Sequence, residues 1–310
     1  MLLEVLQSFF ASERIPLWGT TAVTPLEPEA RRLAEWLARG LDGGLSYLGA
    51  TAALRGDPTR PDVLRAGARG AVVFGLSYAR TGPDTPPAAR VTAACLRGRD
   101  YHRVVRGVLR RLAARLQQSS PGLAMRPFCD VLPVLEKALA VRAGLGWQGR
   151  NTLVIHPDAG STFVLGGLLI DRPLPSAAPR PSACGDCRRC IEACPTGALS
   201  LPGVLDAGRC LSRWSTAGRP PPATLPRGPY TRGCDVCQDV CPFNAGPGPT
   251  PYTGFYQRRT SEPGKNETST GDPPPASPAA SSSPASAEKS VKTNRTVPAT
   301  NAAPVRPRKT

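Results

Sequence analysis

Cysteines carry the clearest chemistry in this 310-residue chain. Cys184, Cys187, Cys190 and Cys194 fall in the pattern C-x2-C-x2-C-x3-C-P, closed by Pro195. Cys210 stands alone, and Cys234, Cys237 and Cys241 repeat the ending as C-x2-C-x3-C-P, closed by Pro242. This spacing suits cubane iron–sulfur clusters. Three thiolates of one tight loop wrap a face of a cluster, and the fourth, held before proline, points to the neighbouring cluster. The expected ligand sets are Cys184, Cys187, Cys190 and Cys241 for one [4Fe–4S] cluster, and Cys194, Cys210, Cys234 and Cys237 for a second. Zinc also takes CxxC pairs, but interlocked sets with Cys-Pro endings favour iron. Disulfides are the third use of ten cysteines. Here most of them crowd one segment, and the first residues read as an amphipathic helix rather than an export signal. Reduced thiols and a cytoplasmic location are expected. Cys95 and Cys129, outside the segment, read as small buried hydrophobes.

Two clusters move electrons but do not name their destination. The rest of the chain shows no GxGxxG after a strand and no Walker A motif. His102 and His156 are its only histidines, too few for a histidine-rich metal site. The strongest other constellation is CDVLPVLEKALAVRAGLGWQGRNTLVI, residues 129–155. Asp130 precedes a predicted helix with Pro133 near its first turn, and by spacing alone it reads as a helix cap before a catalyst. GLGWQGRN is a glycine-rich loop before a strand. It fits either a close-approaching ligand or a plain helix-to-strand turn.

The elements that must position these residues are those of a layered α/β domain. Helical patterns cover residues 28–42, 103–118 and 133–145. In the second, Val104, Val105, Val108, Leu109, Leu112 and Leu116 form the apolar face, and the arginines read as a solvated face. Residues 67–78, 151–157 and 161–171 read as strands, the last two split by a turn at 157–160. The predicted organisation is an α/β (α+β) domain over residues 1–172, a Pro-rich linker over 173–183, a ferredoxin-like double-cluster domain over 184–245, and a low-complexity tail over 246–310. From residue 261 the tail carries too little apolar surface to offset its ordering entropy and is expected to be disordered. Formal charge is +16, from 39 Lys and Arg against 23 Asp and Glu. Such an excess fits an anionic partner such as RNA, and equally an arginine-rich composition. No run is long and apolar enough to suggest a transmembrane helix.

Residues 130–155, with CGDCRRCIEACPTGAL and RGCDVCQDVCPFN, resemble the epoxyqueuosine reductase family. ALRGDP at 53–58 and RGRDYHRVVR at 97–106 strengthen the resemblance, which spans about residues 10–245. It implies cobalamin in the N-terminal domain, so that electrons pass from the clusters to cobalt and then to epoxyqueuosine at the wobble position of tRNA, giving queuosine. The resemblance makes Asp130 the proton donor, which would need a raised pKa to act near neutral pH. It places Arg55, Cys95, Arg150, Asn151, Thr152, Ser212, Asp235 and Gln238 around the cofactor as well, with Asp100, Tyr101 and His102 just beyond Cys95. No DxHxxG motif offers a histidine to cobalt. A monomer without membrane attachment is expected, with tRNA and an external electron donor as partners.

Two other readings fit parts of the pattern. A ferredoxin-like electron carrier would need the clusters but no acid above a cofactor. A corrinoid reductase of small molecules, such as a reductive dehalogenase, would be expected to use a tyrosine acid in place of Asp130. The chain departs from longer family members after Asn244. They continue in a helical, tRNA-contacting segment, and this chain turns to a basic low-complexity sequence that could hold RNA loosely through phosphates.

Overall fold

The run Gly70–Ser77 forms a strand buried at every residue, because both its faces are covered. Val72, Phe74 and Leu76 point into one core, and Ala71 and Val73 into another, as the twofold alternation of a strand requires. The computed structural model describes residues 1–78, 91–226, 230–246 and 252–255. In chain order its helices and strands are α1 (Leu2–Ser12), β1 (Trp18–Ala22), α2 (Glu27–Ala38), α3 (Ser46–Ala50), α4 (Ala52–Gly56), β2 (Gly70–Ser77), β3 (Val91–Thr92), α5 (Tyr101–Ser119), β4 (Met125–Phe128), α6 (Glu136–Arg142), β5 (Trp147–Gln148), β6 (Val154–Ile155), β7 (Phe163–Ile170), α7 (Arg189–Glu192), α8 (Leu211–Thr216), β8 (Tyr230–Arg232) and α9 (Val236–Asp239).

The main sheet has the order β1-β2-β7-β4 and is antiparallel at every pairing, so the layers are of the α+β kind. On one face lie α1, through Leu6, Phe9 and Phe10, and α5, through the six apolar residues its sequence marks out. On the other lies α6, through Leu139 and Ala140.

The helix read over 28–42 ends at Ala38 and the strand read over 67–78 spans Gly70–Ser77, and two further elements depart more. The helix expected from residue 133 starts at Glu136, with Leu135 and not Asp130 at its N-cap. Pro133 disfavours the α conformation at Leu132, so no helix runs back towards Asp130. The strand expected over 151–157 shrinks to Val154–Ile155, because Asn151 and Thr152 belong to a turn closed by Thr152 N–H to the Gly149 carbonyl at 2.9 Å.

The Pro-rich linker docks along the sheet edge. Thr20 Oγ1 donates to the Pro175 carbonyl at 2.7 Å, the Ala22 amide donates to Ser176 Oγ at 3.0 Å, and Leu174 is buried. It thereby covers the open side of β1. The cysteine-rich segment follows within the same compact unit, Met1–Arg259. Tyr252–Phe255, placed by sequence in the tail, returns to the first core: Phe255 is buried, and Tyr252 Oη donates to Glu13, which also pairs with Arg111. The disorder expected from residue 261 concerns residues outside those described. Among the described residues no helix is long and apolar enough to cross a membrane.

Candidate active site and cluster-binding segment

β4 ends at Phe128, and the chain then leaves the sheet through a loop that presents Asp130 at φ +63°. Its carboxylate is 54% exposed and lies against the start of α5. The first turn of α5 faces it. Tyr101 Oη donates to Asp130 Oδ2 at 2.6 Å, and His102 Nε2 lies 3.3 Å from the same oxygen. The other ring nitrogen of His102 lies 2.8 Å from Asp100 Oδ1, and Asp100 caps α5 by accepting the His102 amide. Burial alone would raise the Asp130 carboxyl. The bonds from His102 and Tyr101, with the charges of His102 and Lys137, outweigh it and hold the carboxyl below its ordinary range. Without a corrin over it, the carboxyl is thus not raised, and two hydrogen-bond donors on α5 that the sequence does not reveal account for this. His102 shifts the opposite way: the bond to Asp130 raises it, against burial and with help from Asp100.

Behind Asp130, the Glu136 carboxylate accepts the Asp130 amide at 2.6 Å, and Lys137 Nζ donates to the Thr152 carbonyl at 2.9 Å. Burial first, then the Asp130 charge, lifts Glu136 to about 8. Arg55 contributes an opposing charge to Glu136. Its guanidinium bonds Thr51 Oγ1 at 2.9 Å and stacks over Tyr47. Asn151 is buried and donates to the Cys237 carbonyl, joining this group to the cysteine segment.

Cys95 lies between Asp130 and Asp235. Burial and then the Asp235 charge push its thiol up to about 11, so it stays protonated at neutral pH. Asp235 is buried and accepts the Ala94 amide, and Gln238 Nε2 donates to it at 3.2 Å. Gln238 Oε1 accepts from Tyr78 Oη and Ser161 Oγ. The structure thus brings Arg55, Cys95, Asp130, Asn151, Thr152, Asp235 and Gln238 into one linked group. Arg150 instead bonds the Gly185 carbonyl beside Cys184. Ser212 lies in α8, where its carbonyl accepts from Ser215 and Thr216. One residue on, the buried Nε and Nη1 of Arg213 have no hydrogen-bond partner. Guanidinium, amide and carboxylate groups in this number fit a large group that carries amides and a phosphate. Tyr78 and Ser161 escape sequence reasoning, and Glu136 and Lys137 lie in the quoted 129–155 stretch without being singled out, because the bonds that reveal all four are tertiary.

All ten cysteines are free thiols. Eight sort into two neighbourhoods. Cys190 feels the charges of Cys241, Cys187 and Cys184, and Cys241 those of Cys184 and Cys187. Cys234 feels Cys210 and Cys194, and Cys237 feels Cys234, Cys210, Cys190 and Cys194. In each of these four, burial is the larger upward push. Among the described residues no three His, Cys, Asp or Glu side chains are gathered tightly enough for a single metal ion. Cys194 differs from the four: burial raises it, but bonds from the Leu199, Thr196 and Ala198 amides bring it below the ordinary thiol range. Trp147, from the glycine loop, donates its Nε1–H to Cys184 Sγ at 3.4 Å and packs edge-on against Phe243.

Residues 183–244 match the family model "4Fe-4S double cluster binding domain", and residues 59–131 match "Epoxyqueuosine reductase QueG, DUF1730". A curated epoxyqueuosine reductase of Synechococcus sp. (strain CC9605) is 39% identical over 225 residues, covering 71% of this chain and 68% of the relative. One of Synechococcus sp. (strain RCC307) is 36% identical over 248 residues, covering 78% and 75%. A crystal structure of selenomethionine-labelled epoxyqueuosine reductase superposes with a TM-score of 0.71 at 26% identity, over 82% of this chain and 69% of that one. Another epoxyqueuosine reductase, solved with a tRNA-Tyr epoxyqueuosine-modified stem loop, gives 0.69 at 26% identity, over 79% and 67%. Fold, thiol arrangement and these likenesses define an oxidoreductase with two [4Fe–4S] clusters. The chain belongs to the epoxyqueuosine reductase family. The electron-carrier alternative is set aside with that finding.

Proposed function

We propose that this chain reduces epoxyqueuosine in tRNA to queuosine, and that Asp130 gives a proton to the departing oxygen. The observation that carries the reading is the half-exposed carboxylate of Asp130, contacted by Tyr101 and His102 within the compact unit that holds the eight thiols. The tRNA stem loop bound by a relative of known structure supports tRNA as the substrate class. Turning an epoxide into an alkene consumes two electrons and two protons and releases the oxygen as water.

Cys184, Cys187, Cys190 and Cys241 would hold one cluster, and Cys194, Cys210, Cys234 and Cys237 the other. Arg55, Cys95, Asn151, Thr152, Asp235 and Gln238 would line a cobalamin site, with Arg150 and Ser212 at its margins. Cobalamin, when bound, supplies a strongly reducing metal centre fed by one-electron clusters. The chain's own residues supply position and protons. Asp130 is ionised in the free protein, so its proton has to be delivered. His102, whose Nε2 faces Asp130 Oδ2, is the proton reserve, and Tyr101 fixes the same oxygen. A substrate that displaces water from the site would strengthen the pull of burial on Asp130 and move the proton onto it.

Asp130→Asn tests the reading, since asparagine tolerates φ +63° and only the acid is lost. Iron content and corrinoid absorbance should match the wild type, while turnover falls by about a hundredfold or more. Turnover within about threefold of wild type would remove Asp130 from the chemistry.

A further inference from the structure

Among the described residues, Arg14, Asp130 and Thr152 are the non-glycine residues at positive φ. Two of these three lie in the proposed site. Thr152 at φ +67° is the more costly, because its β-branch crowds the backbone in the left-handed region. Strain of this kind persists only where neighbours enforce it. Here the enforcing groups are consecutive residues at the start of α6. Glu136 Oε1 accepts the Asp130 amide across six positions of sequence, and Lys137 Nζ donates to the Thr152 carbonyl across fifteen.

Both bonds end on backbone atoms, so they fix where a loop lies rather than how a side chain rotates. A helix-terminus role explains less. An acidic residue in a first turn complements the helix dipole, but a lysine beside it does not. Glu136 and Lys137 instead engage the two loops that carry the acid and the Asn151–Thr152 pair. Sequence order matches purpose: one helix start ties down both loops, so Asp130 and Thr152 keep a fixed spacing.

We propose that Glu136 and Lys137 are positioning residues that clamp the Asp130 loop and the Thr152 loop in strained, site-forming conformations. The proposal rests on the reading of Asp130 as the acid, and its test separates the two. Amide hydrogen exchange is measured on cluster-loaded, substrate-free protein, alongside kcat and KM for tRNA. Glu136→Ala should speed exchange at the Asp130 amide by about tenfold or more. It should also lower kcat by about ten- to a hundredfold, with KM changed by less than about threefold. Glu136→Gln keeps a carbonyl acceptor and should restore both to within about threefold of wild type. Lys137→Met should loosen residues 150–153 and leave 129–131 protected. If Glu136→Ala does not accumulate as folded protein, Glu136→Asp, one methylene short, takes its place.

Unchanged exchange at Asp130 in the Ala or Asp variant would overturn the clamp. So would a Gln variant as impaired as the Ala variant, which would show that the carboxyl proton matters and not its acceptor. Full activity in Asp130→Asn would sink the acid reading alone, and the exchange results would still decide the clamp.

Discussion

The charge on Asp130 is settled by two side chains far away in sequence. Tyr101 and His102 stand 29 and 28 positions before it, and the first turn of α5 brings both to one carboxylate oxygen. Asp130 is legible in the sequence through its family motif. Its ionisation is not, because that depends on where α5 begins relative to the loop after β4. The same contact sets a pH dependence. The bond to Asp130 raises His102 against burial, and Asp100, Asp130 and Arg106 are the charged groups around it. His102 therefore keeps its proton beyond the ordinary imidazole value, near 6.5. Turnover at saturating tRNA should hold at lower pH and decline as pH rises through that raised value. His102→Asn should lower the rate and abolish this alkaline limb. A variant that retains the wild-type limb would mean that another group supplies the proton. Folding stability follows the same sign: the part owed to protonated His102 is present below its unfolded pKa and is lost as pH rises through the raised one.

Among the elements, the glycine loop before β6 serves the clusters as well as the proposed site. Gly146 sits at φ +149°, and an added Cβ would lie 2.0 Å from the Ile155 carbonyl oxygen, so the β5–β6 pair closes only around glycine there. That closure aims Trp147 at Cys184. An N–H donor on a cluster thiolate stabilises the more negative, reduced cluster. Trp147→Phe should lower the midpoint potential of the cluster held by Cys184 by roughly tens of millivolts, as read in a spectroscopic redox titration. An unshifted potential would detach Trp147 from that cluster. Glycines at 144, 146 and 149 make a turn legible in sequence. The reach of Trp147 to a cysteine 37 positions later is a tertiary fact. Periodicity succeeds for α5, whose six marked apolar residues are all buried, since a long amphipathic helix reports its own face. It fails for α6, whose helix starts at Glu136 with Leu135 as its N-cap and leaves Asp130 without the capping role that spacing suggests.

Across the whole molecule, thiols from residues 184–194 and 210–241 come together, with Cys241 near Cys184 and Cys187, and Cys194 near Cys234 and Cys237. Cys237 also neighbours Cys190, which puts the two sets next to each other. Cys187→Ala should therefore lose one cluster and its four irons and spare the other. Unchanged iron per protein would overturn the ligand assignment. The cysteine pattern is the most legible part of the chain, because cluster chemistry fixes spacing locally. Less legible is the way the segment is tied to the sheet: the linker lies along β1, and Asn151 bonds the Cys237 carbonyl. These contacts join residues far apart, and composition marks residues 173–183 only as a spacer.

The central claim is that electrons from this double-cluster segment end in epoxyqueuosine. Nucleoside analysis by mass spectrometry tests it most directly. Anaerobically reconstituted protein is given cobalamin, a chemical reductant and tRNA rich in epoxyqueuosine, and the tRNA is digested after incubation. The account predicts conversion to queuosine, dependent on cobalamin and lost in Asp130→Asn. Epoxyqueuosine left intact by protein that carries both clusters and cobalamin would contradict it.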